Sequence, residues 1–161
     1  MTIRRTLPRR SAGFTLMELI VTVTILGILA SIAAPSFREM MVDQRVKSAS
    51  FDMTAALILA RSEALKQNGR VTLTPSSGTT EWANGWTATG PDGATIGTQG
   101  AYATGITIAG PTSIVYTRSG RASSATTVTL QVGNSAAGST VSPRCISVGV
   151  TGQPKSVKGS C

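Results

Sequence analysis

The chain has 161 residues, 15 Lys or Arg against 7 Asp or Glu, a net charge of +8 and no histidine. The absence of histidine, of a Cys-x-x-Cys pair and of a Gly-rich phosphate loop leaves no catalytic constellation, so neither an enzyme nor a metal or cofactor site is expected. The length suits one helix-anchored folded unit and is short for two ordinary domains.

The charge is unevenly placed. Arg4, Arg5, Arg9 and Arg10 supply half of the net charge within residues 1–13, a segment with Pro8, no acid and no periodic apolar face. A positive segment before an apolar run is held on the cytoplasmic side of a membrane. From Phe14 to Ala34 the only formal charge is Glu18, and at ~1.5 Å per residue the run is long enough to span a bilayer core as a helix. A secretory signal carries its small cleavage residues after the apolar core, whereas Gly13 stands before it. Cleavage after Gly13 removes the basic leader and keeps the helix.

At this point Gly13-Phe14-Thr15-Leu16-Met17-Glu18 resembles the processing motif of type IV pilins and pseudopilins, a glycine followed by Phe-Thr-Leu-x-Glu. The resemblance implies that a prepilin peptidase cuts between Gly13 and Phe14 and that the new Phe14 amine is N-methylated. It also implies that Glu18 pairs with the Phe14 ammonium of a neighbouring subunit during filament assembly. A carboxylate near the end of a membrane helix costs up to a few kcal/mol unless it snorkels, protonates or finds a partner. The pairing would offset that cost and fix axial register; the plainer alternative is a Glu18 near enough to the interface to stay hydrated. Gly27 and Pro35 match the helix-softening glycine and proline of the same family, with a harmless kink at the membrane exit as the alternative.

Beyond Pro35 the pattern is amphipathic. Val42, Val46, Ala49, Met53, Ala56, Leu57, Ala60 and Ala64 recur at spacings of three and four, and Asp43 and Lys47 form an i,i+4 pair in the favourable order. The helix is expected to reach Lys66 or Gln67 and stop at Asn68-Gly69, with its apolar stripe packed under the following domain. After about residue 68 only Glu81 and Asp92 are acidic, and Val/Ile/Thr runs alternate with Gly, Pro and Ser turns. Expected strands are Arg70 to Thr74, Trp86 to Thr89, Gly105 to Ala109, Ser113 to Arg118, Thr126 to Val132 and Cys145 to Thr151. One long helix followed by strands indicates an α+β, pilin-like fold with a small antiparallel β-domain. The expected divisions are a leader over 1–13, an assembly helix over 14–35, its amphipathic continuation over 36–67 and a β-domain over 68–161.

Three further segments narrow the resemblance to the FimT/GspH group of minor pilins and pseudopilins. They are Ala60-Arg61-Ser62-Glu63-Ala64 before Asn68-Gly69, Trp82-Ala83-Asn84-Gly85-Trp86, and Ile114-Val115-Tyr116 leading to Ser119-Gly120-Arg121. Trp82 and Trp86 suit core or turn packing better than a stacking site. By this resemblance the partners are other major or minor pilins or pseudopilins, the prepilin peptidase and the inner membrane. The protein is expected as a single-pass inner-membrane protein with its C-terminal domain in the periplasm, then at the pilus or cell surface.

Cys145 and Cys161 are the only cysteines. In an exported protein such a pair forms a disulfide, and in the cytosol two free thiols are the default, so the compartment decides. A Cys145–Cys161 bridge would enclose Lys155 and Lys158, and with Arg144 these give a basic segment without a compensating acid. Some FimT-type members bind DNA during natural transformation through a C-terminal Gly-Arg-x-Arg motif. The matching stretch here, Gly152-Gln153-Pro154-Lys155, has glutamine and lysine at the two arginine positions and so loses the forked guanidinium contacts. The functional alternatives are therefore a type IV pilus minor pilin, the same subunit also binding double-stranded DNA through Arg144, Lys155 and Lys158, and a type II secretion pseudopilin. The basic residues also fit a solvated edge of the last hairpin.

Overall fold

A computed structural model describes residues 13–136 and 139–161, with the Pro35 side chain excepted. The expected basic leader, with Arg4, Arg5, Arg9 and Arg10, lies outside the described residues. The chain divides into two compact units, residues 1–38 and 39–161. Helix α1, Leu16–Lys66, runs without interruption through Gly27 and Pro35.

The helix starts with Thr15, whose hydroxyl accepts the Glu18 backbone N–H at 3.2 Å. Thr15 and Glu18 occupy the first and fourth places of a Thr-x-x-Glu capping arrangement, so part of the processing motif also specifies a helix start. Through the first unit the described side chains are exposed, and the most apolar 18-residue window has a mean hydropathy of 2.3. By length and composition this helix can cross a membrane.

In the second unit the helix has a fully covered face. Val46, Ala49, Met53, Leu57, Ala60 and Ala64 are buried, at the expected three- and four-residue spacings. The stop is a Schellman turn. Asn68 takes φ 48°, its N–H bonds to the Leu65 carbonyl at 3.3 Å, and Gly69 N–H reaches back to Ala64 at 3.1 Å.

Among the described residues eight strands follow: β1 Val71–Pro75, β2 Trp86–Thr89, β3 Thr95–Gln99, β4 Ile106–Ala109, β5 Ile114–Tyr116, β6 Val128–Asn134, β7 Arg144–Val148 and β8 Pro154–Lys158. They form two antiparallel four-stranded sheets, ordered β3-β2-β1-β5 and β4-β6-β7-β8. Six strands lie where the sequence places them within a few residues. β3 and β8 are additional, because Thr-Ile-Gly-Thr-Gln lacks a strong apolar alternation and Pro154 reads as a turn residue. The core joins the inner helix face to Val71, Leu73, Tyr116, Leu130 and Ile146 from both sheets.

Candidate assembly site

Among the described residues of the first unit the helix surface is exposed. Phe14 is 78% exposed, and Leu16, Leu19, Val23, Leu26 and Ile32 are exposed with it. Glu18 lies in the first helical turn, where the helix dipole favours a negative charge. Gly13 and Phe14 precede the helix in open space, and an added Cβ on Gly13 would meet nothing within 4 Å. Between residues 39 and 66 the back of α1 carries a second apolar stripe, with Phe51 (74% exposed), Ile58 and Leu65 seven residues apart. Ala55 and Ser62 flank this row with small side chains that allow close helix approach.

The second unit, taken by itself, contains the Cys145–Cys161 disulfide, which straps residues 159–161 across β7 toward β6. Cys161 N–H donates to Gln131 Oε1 at 3.3 Å on β6. Inside the closed segment β8 is hydrogen-bonded to β7, and the register separates the three cations. Arg144 pairs with Lys158, whereas Lys155 pairs with Ser147. Side chains alternate between faces along a strand, so Lys155 and Lys158, three residues apart, point to opposite faces. Ser156 shares the face of Lys158 and its hydroxyl meets that of Ser50 on the helix at 2.8 Å. Arg144 and Lys158 therefore stand over the helix near Asp43 and Lys47, and Lys155 stands on the outer face. The Lys47–Asp43 bridge is 2.7 Å long. Its hydrogen bond, followed by the charges of Lys47, Lys158 and Arg144, holds the Asp43 carboxyl below the usual range.

Four contacts explain why the internal sequence segments take their form. Arg61 Nε donates to the Gly120 carbonyl at 2.9 Å, linking residues 59 apart in sequence. Gly152 has φ 79°, and a Cβ there would collide with the Gly120 carbonyl, so only glycine allows the two turns to meet. Trp82 is buried and donates its indole N–H to Pro111 at 2.8 Å, and Trp86 Nε1 donates to the Tyr102 hydroxyl at 3.2 Å. Sequence periodicity places Arg61 on the polar helix face and does not reveal its tertiary contact. It also misses Glu81, whose Oε1 accepts the Ile108 N–H at 2.9 Å and the Ala83 N–H at 3.1 Å, closing the outer edge of β4.

One long helix on two antiparallel sheets, with an apolar helix surface at its start, defines the type IV pilin class of fold. A family model described as type II transport protein GspH matches residues 49–152, and one described as the prokaryotic N-terminal methylation motif matches residues 8–34. No curated protein matches the chain significantly. The fold is similar to a crystal structure of the Pseudomonas aeruginosa (strain PAO1) type IV minor pilin FimU, with a TM-score of 0.61 at 21% identity over 70% of this chain and 87% of that one. A second crystal form of FimU gives a TM-score of 0.58 at 20% identity, covering 69% of this chain and 91% of that one. The chain belongs to the GspH family of minor pilins and pseudopilins, whose members are structural subunits.

Proposed function

We propose that the protein is a minor subunit of a type IV pilus. On this reading the leader over 1–13 is removed between Gly13 and Phe14 by the prepilin peptidase, and Phe14 is N-methylated. The helix over 14–35 then holds the chain in the inner membrane, with residues 36–67 and the β-domain over 68–161 on the periplasmic side, until the subunit enters the filament. Glu18 meets the Phe14 ammonium of a neighbour at that step, while Gly27 and Pro35 let the helix adjust. The carrying observation is a helix whose apolar side chains from Leu16 to Ile32 are exposed among the described residues. A membrane covers them before assembly and neighbouring helices cover them afterwards. The likeness to FimU favours the pilus over a secretion pseudopilus, and the family model's own description keeps type II secretion as the alternative.

A deletion strain scored together for twitching, DNA uptake and exoprotein secretion separates these outcomes. Loss of twitching with normal secretion supports the pilus; the reverse pattern supports the secretion system. Double-stranded DNA capture is a second reading, favoured by the adjacent Arg144 and Lys158; the Lys47 beside them is paired with Asp43. Because Lys155 is on the other face, Arg144→Ala/Lys158→Ala should weaken a salt-sensitive gel shift more than Lys155→Ala does. Equal effects, or no shift by the wild type, count against DNA capture at this surface.

A further inference from the structure

Sheet 2 has an unfinished row. β4 pairs with β6 from Ile106↔Asn134 to Ala109↔Gln131 and goes no further, although β6 continues back to Val128 in its pairing with β7. The chain leaves the sheet at Gly110, whose N–H bonds to Thr80, and Pro111 gives its carbonyl to Trp82. An added Cβ on Gly110 would come within 3.0 Å of both Leu130 Cδ2 and Trp82 Nε1, so the crossover is tightly packed. It removes β4 from the position opposite Thr129.

The hydrogen-bond parity identifies the groups left in that position. Ser135 N–H bonds to Gly105 on the β4 side, so the odd-numbered residues of β6 direct their backbone groups toward β4. Gly159 N–H bonding to Pro143 sets the β7–β8 parity, which in turn directs the even-numbered residues of β7 toward β6, in agreement. Thr129 therefore turns its N–H and C=O toward the missing strand, and it is exposed. An open groove of about 640 Å³ occupies this place, between Ala109 and Pro111 on one side and Thr127 and Thr129 on the other, with Cys161 in its lining. Among the described residues no charged side chain lines it, and its hydroxyl and amide groups suit a neutral backbone.

The other edges of sheet 2 are guarded. Residues 80–82 and the Glu81 carboxylate cover β4, whereas β8 carries Pro154, Lys155 and Lys158, residue types that discourage strand addition. We infer that the groove receives an extended, uncharged segment of a neighbouring pilin-class subunit, which completes the row beside β6 by backbone pairing with Thr129. Main-chain hydrogen bonds supply the attraction, and the uncharged lining suits neutral side chains. The disulfide strap holds one wall of the groove in place before docking. The inference rests on the filament reading and adds a specific contact to it.

Hydrogen exchange of the full-length processed protein, in detergent and in sheared filaments, tests the contact. The Thr129 amide should exchange quickly in detergent and at least about 100-fold more slowly in filaments. The Leu130 amide, which faces β7, should be slow in both. Thr129→Pro removes the groove-facing donor while sparing the β6–β7 ladder, and should reduce recovery in filaments by about fivefold or more without changing the melting temperature. Equally fast Thr129 exchange in the two states overturns the strand-docking inference even if the variant fails to fold. Normal incorporation of a folded Thr129→Pro protein overturns it as well, and both results leave the filament reading intact. Absence of the wild-type protein from filaments overturns both.

Discussion

The two parts of α1 have the same secondary structure and different sources of cover. From Leu16 to Arg38 apolar side chains face outward all round the helix, while from Glu39 to Lys66 one face is buried against the chain's own sheets and the opposite face keeps Phe51, Ile58 and Leu65 exposed. Helical propensity alone does not distinguish them. The difference lies in what removes apolar surface from water, an intramolecular core in the second part and another molecule or a bilayer in the first. Folding and assembly are thereby written into one continuous element, and substitutions in the two parts should fail in different measurements.

The largest contrast is expected at Glu18. Glu18→Ala should still be processed after Gly13 but fall at least about tenfold in sheared filaments, as expected when a buried ion pair loses one partner. Glu18→Gln retains a capping side chain at the helix start and loses the charge. An equal defect in Glu18→Gln assigns the effect to the charge, and rescue by glutamine assigns it to the cap. Immunoblots of membrane and filament fractions distinguish these results.

In the second part, Leu57→Ala should cost about 2–5 kcal/mol in chemical denaturation of the full chain, because it empties space in a closed core. Leu26→Ala should leave that transition unchanged while altering membrane or filament retention. A similar loss of stability from both variants would abolish the distinction between the two parts. Breaking the Cys145–Cys161 bridge by Cys145→Ser/Cys161→Ser should lower stability by about 3 kcal/mol, measured against the oxidised wild type.

The smallest effect belongs to Tyr116, a buried phenol whose hydroxyl has no hydrogen-bond partner among the described residues. Burial pushes its pKa up to about 12. The folded chain therefore keeps a proton that the unfolded chain releases from about pH 10, so this contribution is complete below pH 10 and is lost as pH rises toward 12. Tyr116→Phe should flatten that alkaline decline and gain up to about 1 kcal/mol at neutral pH. An unchanged alkaline melting curve would remove Tyr116 as the titrating group.

Much of this division can be read in the sequence. The apolar run, the amphipathic spacing from Val46 to Ala64 and the Asn68-Gly69 stop carry periodic or capping information and reappear in the structure. Long-range registration is less visible. The Arg61–Gly120 bond joins distant segments, and β3 and β8 form because neighbouring strands offer partners to segments with weak patterns of their own. Lys155 and Lys158 appear together as a basic loop until β8 is recognised, when a period of two places them on opposite faces. The Thr15–Glu18 cap is visible in the sequence but masked by a motif that also has a processing meaning. Thr129 has no chemical feature that marks it, because the groove depends on where a different strand ends.

The assembly reading depends most directly on the N-terminus found in the filament. Mass spectrometry of the N-terminal peptide from sheared, washed filaments should begin at N-methylated Phe14 and include Glu18. Filaments lacking this peptide, or containing the chain with its first 13 residues still attached, would contradict assembly through the processed helix.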